Sequence, residues 1–379
     1  MQFRKFGKTG FDVSAIGFGV MRLPLLPGAK SDKEFDAEKS IQMMRYGIDN
    51  GINYLDTAYV YHGGMSENIL GKALKDGYRK KVKIADKCPV DRVKEPDDFD
   101  RILDEQLKRL DDTHIEFYMF HGIGRGGWED IKRMNLIKKI EAAKSDGRIS
   151  HIGFSFHDNT EAFKLIVDGY DKWEFCQIQY NYMDINNQAG KEGLEYAGKH
   201  GIPVIVMEPL LGGRLANPPK EVRQVFDSYP VKRTPAEWTL RWLWNLPGVA
   251  VVLSGMSALE QVKENIESAS RSGTGVLSPE ELELFKKAGE KYAGRKIIPC
   301  TACKYCMPCP HGVNIPGNFE LYNEGIIYDE FSAPQWRYRN MVKEEEKADK
   351  CTKCGECGEK CPQEIKISEL MEKVHEAVK

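Results

Sequence analysis

Four side chains in the first third of the chain have the types needed to hand a proton to a carbonyl oxygen: Asp56, Tyr61, Lys87 and His121. A phenol titrates at about 10 when undisturbed, so it acts as an acid near neutrality only if its pKa is drawn down. A lysine cation close by favours the phenolate and does this. An aspartate beside the lysine keeps it charged and oriented, and a neutral histidine can hydrogen-bond the reacting oxygen and fix its angle. Each residue also has a plain structural reading: a capping aspartate, a surface tyrosine, a solvated lysine, a satisfied core histidine. A second chemistry is written in the cysteines. Eight of the ten fall in two runs, Cys300-x2-Cys303-x2-Cys306-x2-Cys309-Pro310 and Cys351-x2-Cys354-x2-Cys357-x3-Cys361-Pro362. Three cysteines at successive spacings of three let one short loop wrap three irons of a cubane cluster, and the fourth, followed by proline, ordinarily ligates the other cluster. Two structural zinc sites are the alternative, although zinc modules favour paired CxxC knuckles over a run of four ending in proline. Cys88 and Cys176 stand alone and read as small buried residues, with Cys88 beside Lys87 and open to facing the same pocket.

The elements that would position the first set alternate between two periods. Short β-rich apolar runs lie at Val13–Phe18, Ile52–Asp56, Val82–Lys87, Ile115–His121, Ile149–Ser155, Phe175–Tyr180, Pro203–Met207 and Val249–Leu253. Helical patterns fall between them, for example Ala37–Asn50, Glu67–Lys75, Phe99–Leu110, Leu136–Asp146, Thr160–Val167 and Gln188–Lys199, several ending at a glycine. Eight such repeats predict a (β/α)8 barrel, whose active sites sit at the C-terminal strand ends. Asp56, Lys87 and His121 close three successive strands, and Tyr61 follows in a loop. An open doubly wound sheet is the rival, but no GxGxxG follows the first strand. Phe3–Phe6 and Phe11–Ser14, around Gly7-Lys8-Thr9-Gly10, predict a hairpin ahead of the barrel. The Gly- and Pro-rich stretch Gly212–Arg233 reads as an inserted loop. The barrel is expected over residues 1–275 and a linking helix over 276–295, opened by Ser278-Pro279-Glu280-Glu281. Residues 296–379 form the cysteine-rich domain, with helical character around Asn318–Gly325 and Gln335–Lys347. Trp336 and Tyr338 read as local core, or as a means of packing this tail onto the barrel.

The bulk properties exclude some partners. Across 379 residues the formal charge is -2, with 41% apolar and 30% charged residues, and no basic run suits nucleic acid or an acidic membrane. Met1 leads into polar Gln2, Arg4 and Lys5, and no stretch of 18 apolar residues follows, so the cytosol is the expected compartment.

The segment Gly51-Ile-Asn-Tyr-Leu-Asp-Thr-Ala-Tyr-Val-Tyr61 resembles the aldo-keto reductase signature, as does Arg4-Lys5-Phe6-Gly7-Lys8-Thr9-Gly10. The resemblance implies that Tyr61 is the acid/base, Lys87 its pKa-lowering partner, Asp56 the orienting carboxylate and His121 the donor to the substrate oxygen. It implies that Ser155 and Gln177 hold a nicotinamide carboxamide. Phe156 stands where the family has asparagine, and Met207, in Val206-Met207-Glu208-Pro209-Leu210, stands where many members stack a tyrosine on the ring. Ser254, Gly255, Ser257, Gln261, Glu264 and Asn265 resemble the adenine and 2′-phosphate site, so NADP is expected over NAD. Arg214 reads either as a reach over the pyrophosphate or as a solvated loop residue. The tail resembles bacterial double [4Fe–4S] ferredoxins, which implies crossed ligation: Cys300, Cys303, Cys306 and Cys361 on one cluster, Cys351, Cys354, Cys357 and Cys309 on the other. Its long spacer points to a mainly α-helical version. The expectation is an NAD(P)H-dependent aldehyde or ketone reductase, or the reverse alcohol oxidation, joined through two clusters to a one-electron partner. Hydride carries two electrons and a cubane one, so a radical or a flavin would have to mediate direct exchange; no flavin motif is present. The other reading is an electron-transfer protein whose barrel docks nucleotide or flavin without carbonyl turnover.

Overall fold

The computed structural model describes residues 1–379. Strands β1 (Phe3–Lys5) and β2 (Asp12–Ser14) pair antiparallel as the hairpin, with Phe3 opposite Ser14. Eight parallel strands then close a barrel: β3 (Ile16–Gly19), β4 (Tyr54–Asp56), β5 (Lys83–Cys88), β6 (Ile115–Ile123), β7 (Ile149–Phe156), β8 (Phe175–Gln179), β9 (Val204–Met207) and β10 (Val249–Ser254). Closure comes from β10 pairing with both β9 and β3. Each strand read from the sequence is present, except that Val13 belongs to the hairpin and the first barrel strand starts at Ile16.

Alternation along the strands separates two cores. Tyr54, Ala85, Phe117, Met119, Phe175, Ile205, Val251 and Leu253 fill the bore, with Phe6 from the hairpin turn plugging it from below. Gly153 makes room for this filling, since a Cβ there would lie 2.6 Å from the Phe175 ring. Outward residues such as Ile84, Tyr118 and Phe120 pack against Phe99, Ile102 and Leu103 of the helix Asp98–Leu110. Each fully buried side chain of this kind contributes about 1.5–3 kcal/mol. Two residues further along the inward register of each strand come Asp56, Lys87, His121, Ser155, Gln177 and Met207, which is why the polar set rings the C-terminal mouth.

The chain divides into two compact units, Met1–Gly213 with Ala236–Ser278, and Arg214–Pro235 with Pro279–Lys379. The segment read as an inserted loop contains a helix, Lys220–Asp227, whose Val222 and Phe226 are buried; Phe226 meets Phe285 of helix Pro279–Ala293 at 5.4 Å. The flanking glycines and prolines hide this i, i+4 pair from a periodicity reading. The second unit is mainly helical, built on Ile315–Tyr328, Ser332–Asn340 and Ile367–Val378, with its own core of Val313, Ile315, Phe319, Ile367, Met371 and Val374. The helix expected over Gln335–Lys347 stops at Asn340, and short 3-10 turns follow. Tyr338 is buried, its hydroxyl accepting from the Ala348 N–H at 2.9 Å, whereas Trp336 is exposed. No helix is long and apolar enough to cross a membrane.

Candidate active site and cluster loops

At the mouth of the barrel the Lys87 ammonium donates to the Asp56 carboxylate and to the Thr57 carbonyl, the latter at 2.6 Å. It lies 5.0 Å from the centre of the Tyr61 ring, and Tyr61 meets His121 edge-on at 5.9 Å. Tyr61 opens the turn after β4, where His62 and Gly63 at φ 51 and 64 bend the chain back toward the mouth. Buried His62 anchors that bend through Nδ1 to the Asp32 carbonyl. The structure therefore brings Asp56, Tyr61, Lys87 and His121 together.

Their electrostatics are set by burial and by one another. Burial pushes the Tyr61 phenol above its ordinary value, Lys87 pulls it back down, and Asp56 pushes it up again. Net, the phenol lies above its ordinary value: burial outweighs the lowering expected from Lys87, so Tyr61 holds its proton near neutrality. Burial pulls Lys87 down, but Asp56 and Tyr61 more than reverse this, and the lysine remains a cation. Burial raises the Asp56 carboxyl against the opposing pull of Lys87 and Gln177. His121 is lowered to about 3, chiefly by burial and then by Lys87 and His157, so its imidazole is neutral. Cys88 does not face the pocket. It lies on the outer side of β5 near Tyr118, where burial pushes its thiol up to about 12.

Beside these four, Ser155 and Gln177 pair in register across β7 and β8. The Ser155 hydroxyl accepts from the Gly122 N–H at 2.7 Å, which leaves its own proton to give. Gln177 is 2% exposed, and its Oε1 has no hydrogen-bond donor. An amide N–H2 from a bound carboxamide would satisfy that orphaned oxygen. Phe156 points outward and packs on Phe163 at 5.1 Å. Met207 is half-buried at the end of β9, followed by buried Pro209 and half-buried Leu210.

Ser254, Ser257, Gln261 and Asn265 gather where β10 meets the helix Leu259–Ser270. Asn265 donates to the buried Ser254 hydroxyl at 3.1 Å, and Gln261 accepts the Ser257 N–H at 2.8 Å. Glu264 is half-buried and Gly255 exposed on the same segment. Sequence reasoning missed Arg22. Its side chain lies across Gly255, where a Cβ would be 3.0 Å away, and its guanidinium pairs with Glu208 at 3.2 Å. Its place just after the first barrel strand was the available signal. Arg214 is neither solvated nor grouped with these residues: it is ion-paired with Glu324 at 2.5 Å inside the second unit, over the Tyr328 ring.

In the second unit the eight cysteines, none of them in a disulfide, ring two cavities. Cys300, Cys303, Cys306 and Cys361 line one; Cys309, Cys351, Cys354 and Cys357 line the other. Ala302, Lys304, Lys353 and Gly355 sit at φ 56, 65, 60 and 85, which coils each loop around its cavity. The Ala302 N–H points at Cys300 Sγ, 3.4 Å away. Ile315 and Ile367 wall both cavities. Each cavity takes three cysteines from one run and the cysteine before proline from the other, a donor set that suits two cubanes better than paired zinc knuckles.

Residues 15–290 match the model of the aldo/keto reductase family, and residues 299–365 match a 4Fe-4S dicluster domain. The first match spans more than half of the chain, and the protein belongs to the aldo/keto reductase family. Among curated proteins it is 27% identical over 291 residues to L-galactose dehydrogenase of Arabidopsis thaliana, covering 71% of this chain and 88% of that one. It is 28% identical over 237 residues to an uncharacterized oxidoreductase of Bacillus subtilis, covering 57% and 68%. Among solved structures, the holo form of an aldo-keto reductase from Bacillus halodurans superposes with a TM-score of 0.63 at 26% identity, covering 76% of this chain and 96% of that one. The chain is an NAD(P)H-dependent oxidoreductase of this type that carries an iron–sulfur domain.

Proposed function

We propose that the protein reduces an aldehyde or ketone with NADPH, or runs the reverse alcohol oxidation, and that its two [4Fe–4S] clusters connect it to a one-electron redox partner. The observation that carries the reading is the meeting of a protonated phenol, a buried lysine–aspartate pair and a neutral imidazole at one mouth. A reduced nicotinamide bound there would supply the hydride that the carbonyl carbon takes up. Tyr61 gives its hydroxyl proton to the carbonyl oxygen as charge builds on it. Lys87, held by Asp56 and the Thr57 carbonyl, stabilises the phenolate that results. Neutral His121 donates a hydrogen bond to the same oxygen and fixes its approach. Gln177 and Ser155 would orient its carboxamide, and Met207 would pack against its ring. Arg22, beside Gly255 and the start of the helix at Leu259, supplies positive charge and N–H groups for the cofactor phosphates. Ser254 and Asn265, bonded to each other, shape the adenine side together with Ser257, Gln261 and Glu264. Cys300, Cys303, Cys306 and Cys361 would hold one cluster and Cys309, Cys351, Cys354 and Cys357 the other, and a cluster bound there would supply one-electron chemistry.

The test is anaerobic purification followed by NADPH oxidation against a broad panel of aldehydes and ketones, with cluster absorbance followed in parallel. Carbonyl-dependent NADPH consumption supports the proposal. Cluster bleaching by NADPH with no turnover on any carbonyl would establish the electron-transfer reading in its place.

A further inference from the structure

Behind Lys87, on the outer face of β5, lies a buried acid that the carbonyl chemistry does not use. Alternation along the strand turns Asp86 into the layer between the barrel and the helices Ser66–Ala73 and Asp98–Leu110. Asp86 and Glu67 are both 0% exposed, and Glu67 lies close enough to push the Asp86 carboxyl up directly. The donors around them are committed. Glu67 accepts from Gln106 Nε2 at 3.0 Å and from Arg109 Nη1 at 2.8 Å. Gln106 is itself fixed, giving the same Nε2 to the Lys87 carbonyl at 3.1 Å and taking the Tyr118 hydroxyl at 2.6 Å. Asp86 Oδ1 accepts the Lys87 N–H at 2.8 Å, but Oδ2 has no donor.

Two ionised carboxylates close together, away from water, repel strongly, and a proton between them removes the conflict. We propose that Asp86 and Glu67 share one proton, Asp86 Oδ2–H donating to the Glu67 carboxylate, so that the pair holds one negative charge behind Lys87. Burial and the neighbouring Glu67 both push Asp86 up, in agreement with the geometry. The titratable and charged groups around the pair are Lys87, itself paired with Asp56, and Cys88 on the same strand, Tyr118 on β6, and Arg109 with its second partner Glu105 on the helix Asp98–Leu110. A second negative charge at Asp86 would bind the Lys87 cation from behind and raise Tyr61 further. The shared proton thereby sets how much of the Lys87 charge is available to the phenol, and Asp86 is a positioning residue acting through Lys87.

The kinetic half of the test rests on the carbonyl-reductase reading; the spectroscopic half does not. Infrared spectra of the holoprotein at neutral pH should show the carbonyl stretch of a neutral carboxylic acid that is missing from Asp86→Asn. In that variant the new amide still donates to Glu67, and in Glu67→Gln the charge moves to Asp86 while the new amide displaces one of the two donors that Glu67 accepts from, Gln106 or Arg109; each keeps one negative charge. The alkaline limb of carbonyl reduction should therefore stay in place in both single variants. It should fall by on the order of one pH unit in the double variant, where the remaining charge is gone. No neutral-acid band in the wild type, or an alkaline limb that already falls in Asp86→Asn, overturns the shared proton. Absence of any carbonyl turnover would sink the functional reading alone, and the infrared band would still decide this one.

Discussion

Replacing Asp56 by asparagine keeps the shape of the site and removes one charge. The size of the effect depends on where the pair sits. An exposed lysine–carboxylate pair contributes about 0–1 kcal/mol, but the Lys87 and Asp56 side chains are 1% and 4% exposed. Breaking a buried pair by deleting one partner costs about 3–5 kcal/mol, because the other charge is left uncompensated. Asparagine still offers an acceptor and the Thr57 carbonyl remains, which argues for the lower end: about 3 kcal/mol, roughly a hundredfold in the folding equilibrium. The pH dependence gives the sign. In the wild type the Lys87 pKa lies above its ordinary value of 10.5, so its contribution is full below that value and is lost as pH rises through the folded pKa. In Asp56→Asn, burial acts with less opposition and the lysine pKa falls below the ordinary value. The variant's deficit should then shrink as pH rises and the lysine sheds its proton. Urea unfolding of the holoprotein at several pH values, followed by fluorescence of barrel tryptophans such as Trp238 and Trp244, measures both quantities. A deficit under about 1 kcal/mol, or one that grows toward alkaline pH, refutes the buried-pair argument.

His121, lowered to about 3, should show no protonation by NMR between about pH 5 and 8, and a midpoint near the ordinary 6.5 contradicts its assignment as a neutral donor. Stability should correspondingly fall as pH drops below 6.5, where the unfolded histidine takes up a proton and the folded one does not. Cys306→Ala and Cys361→Ala should each remove the same cluster and about half the iron, whereas Cys309→Ala and Cys357→Ala should remove the other. Matching paramagnetic signals after loss of Cys306 and Cys309 would mean that ligation is not crossed. Gly153→Ala drives a methyl into the Phe175 ring and should cost about 1–3 kcal/mol of barrel stability. An unchanged urea midpoint would show that the bore is not closely packed.

Residue type and strand register made much of the site legible. The period-2 runs ending in Asp56, Lys87 and His121 located three inward positions, and the cysteine spacings picked out the eight residues that line the two cavities. Direction was harder to read where neighbours alternate. Asp86 and Cys88 flank Lys87 in sequence yet face the helices, and only the closed barrel buries Asp86 and Glu67 in one layer. Backbone groups leave no side-chain signal, so the Thr57 carbonyl under Lys87 and the Gly122 N–H on Ser155 could not be anticipated. Arg22 and Arg214 were both visible as arginines in loops. Their partners, Glu208 and Glu324, are set by tertiary structure alone.

In the proposed reaction the Tyr61 hydroxyl supplies the proton that the carbonyl oxygen takes up. Tyr61→Phe deletes that oxygen and leaves the ring, the Lys87–Asp56 pair and the second unit untouched. Steady-state NADPH-dependent reduction by the anaerobically prepared variant should fall by about 10²–10⁴-fold, the range of general acid catalysis, with the cluster absorbance of the wild type retained. Undiminished carbonyl reduction in a variant with both clusters intact would contradict the account.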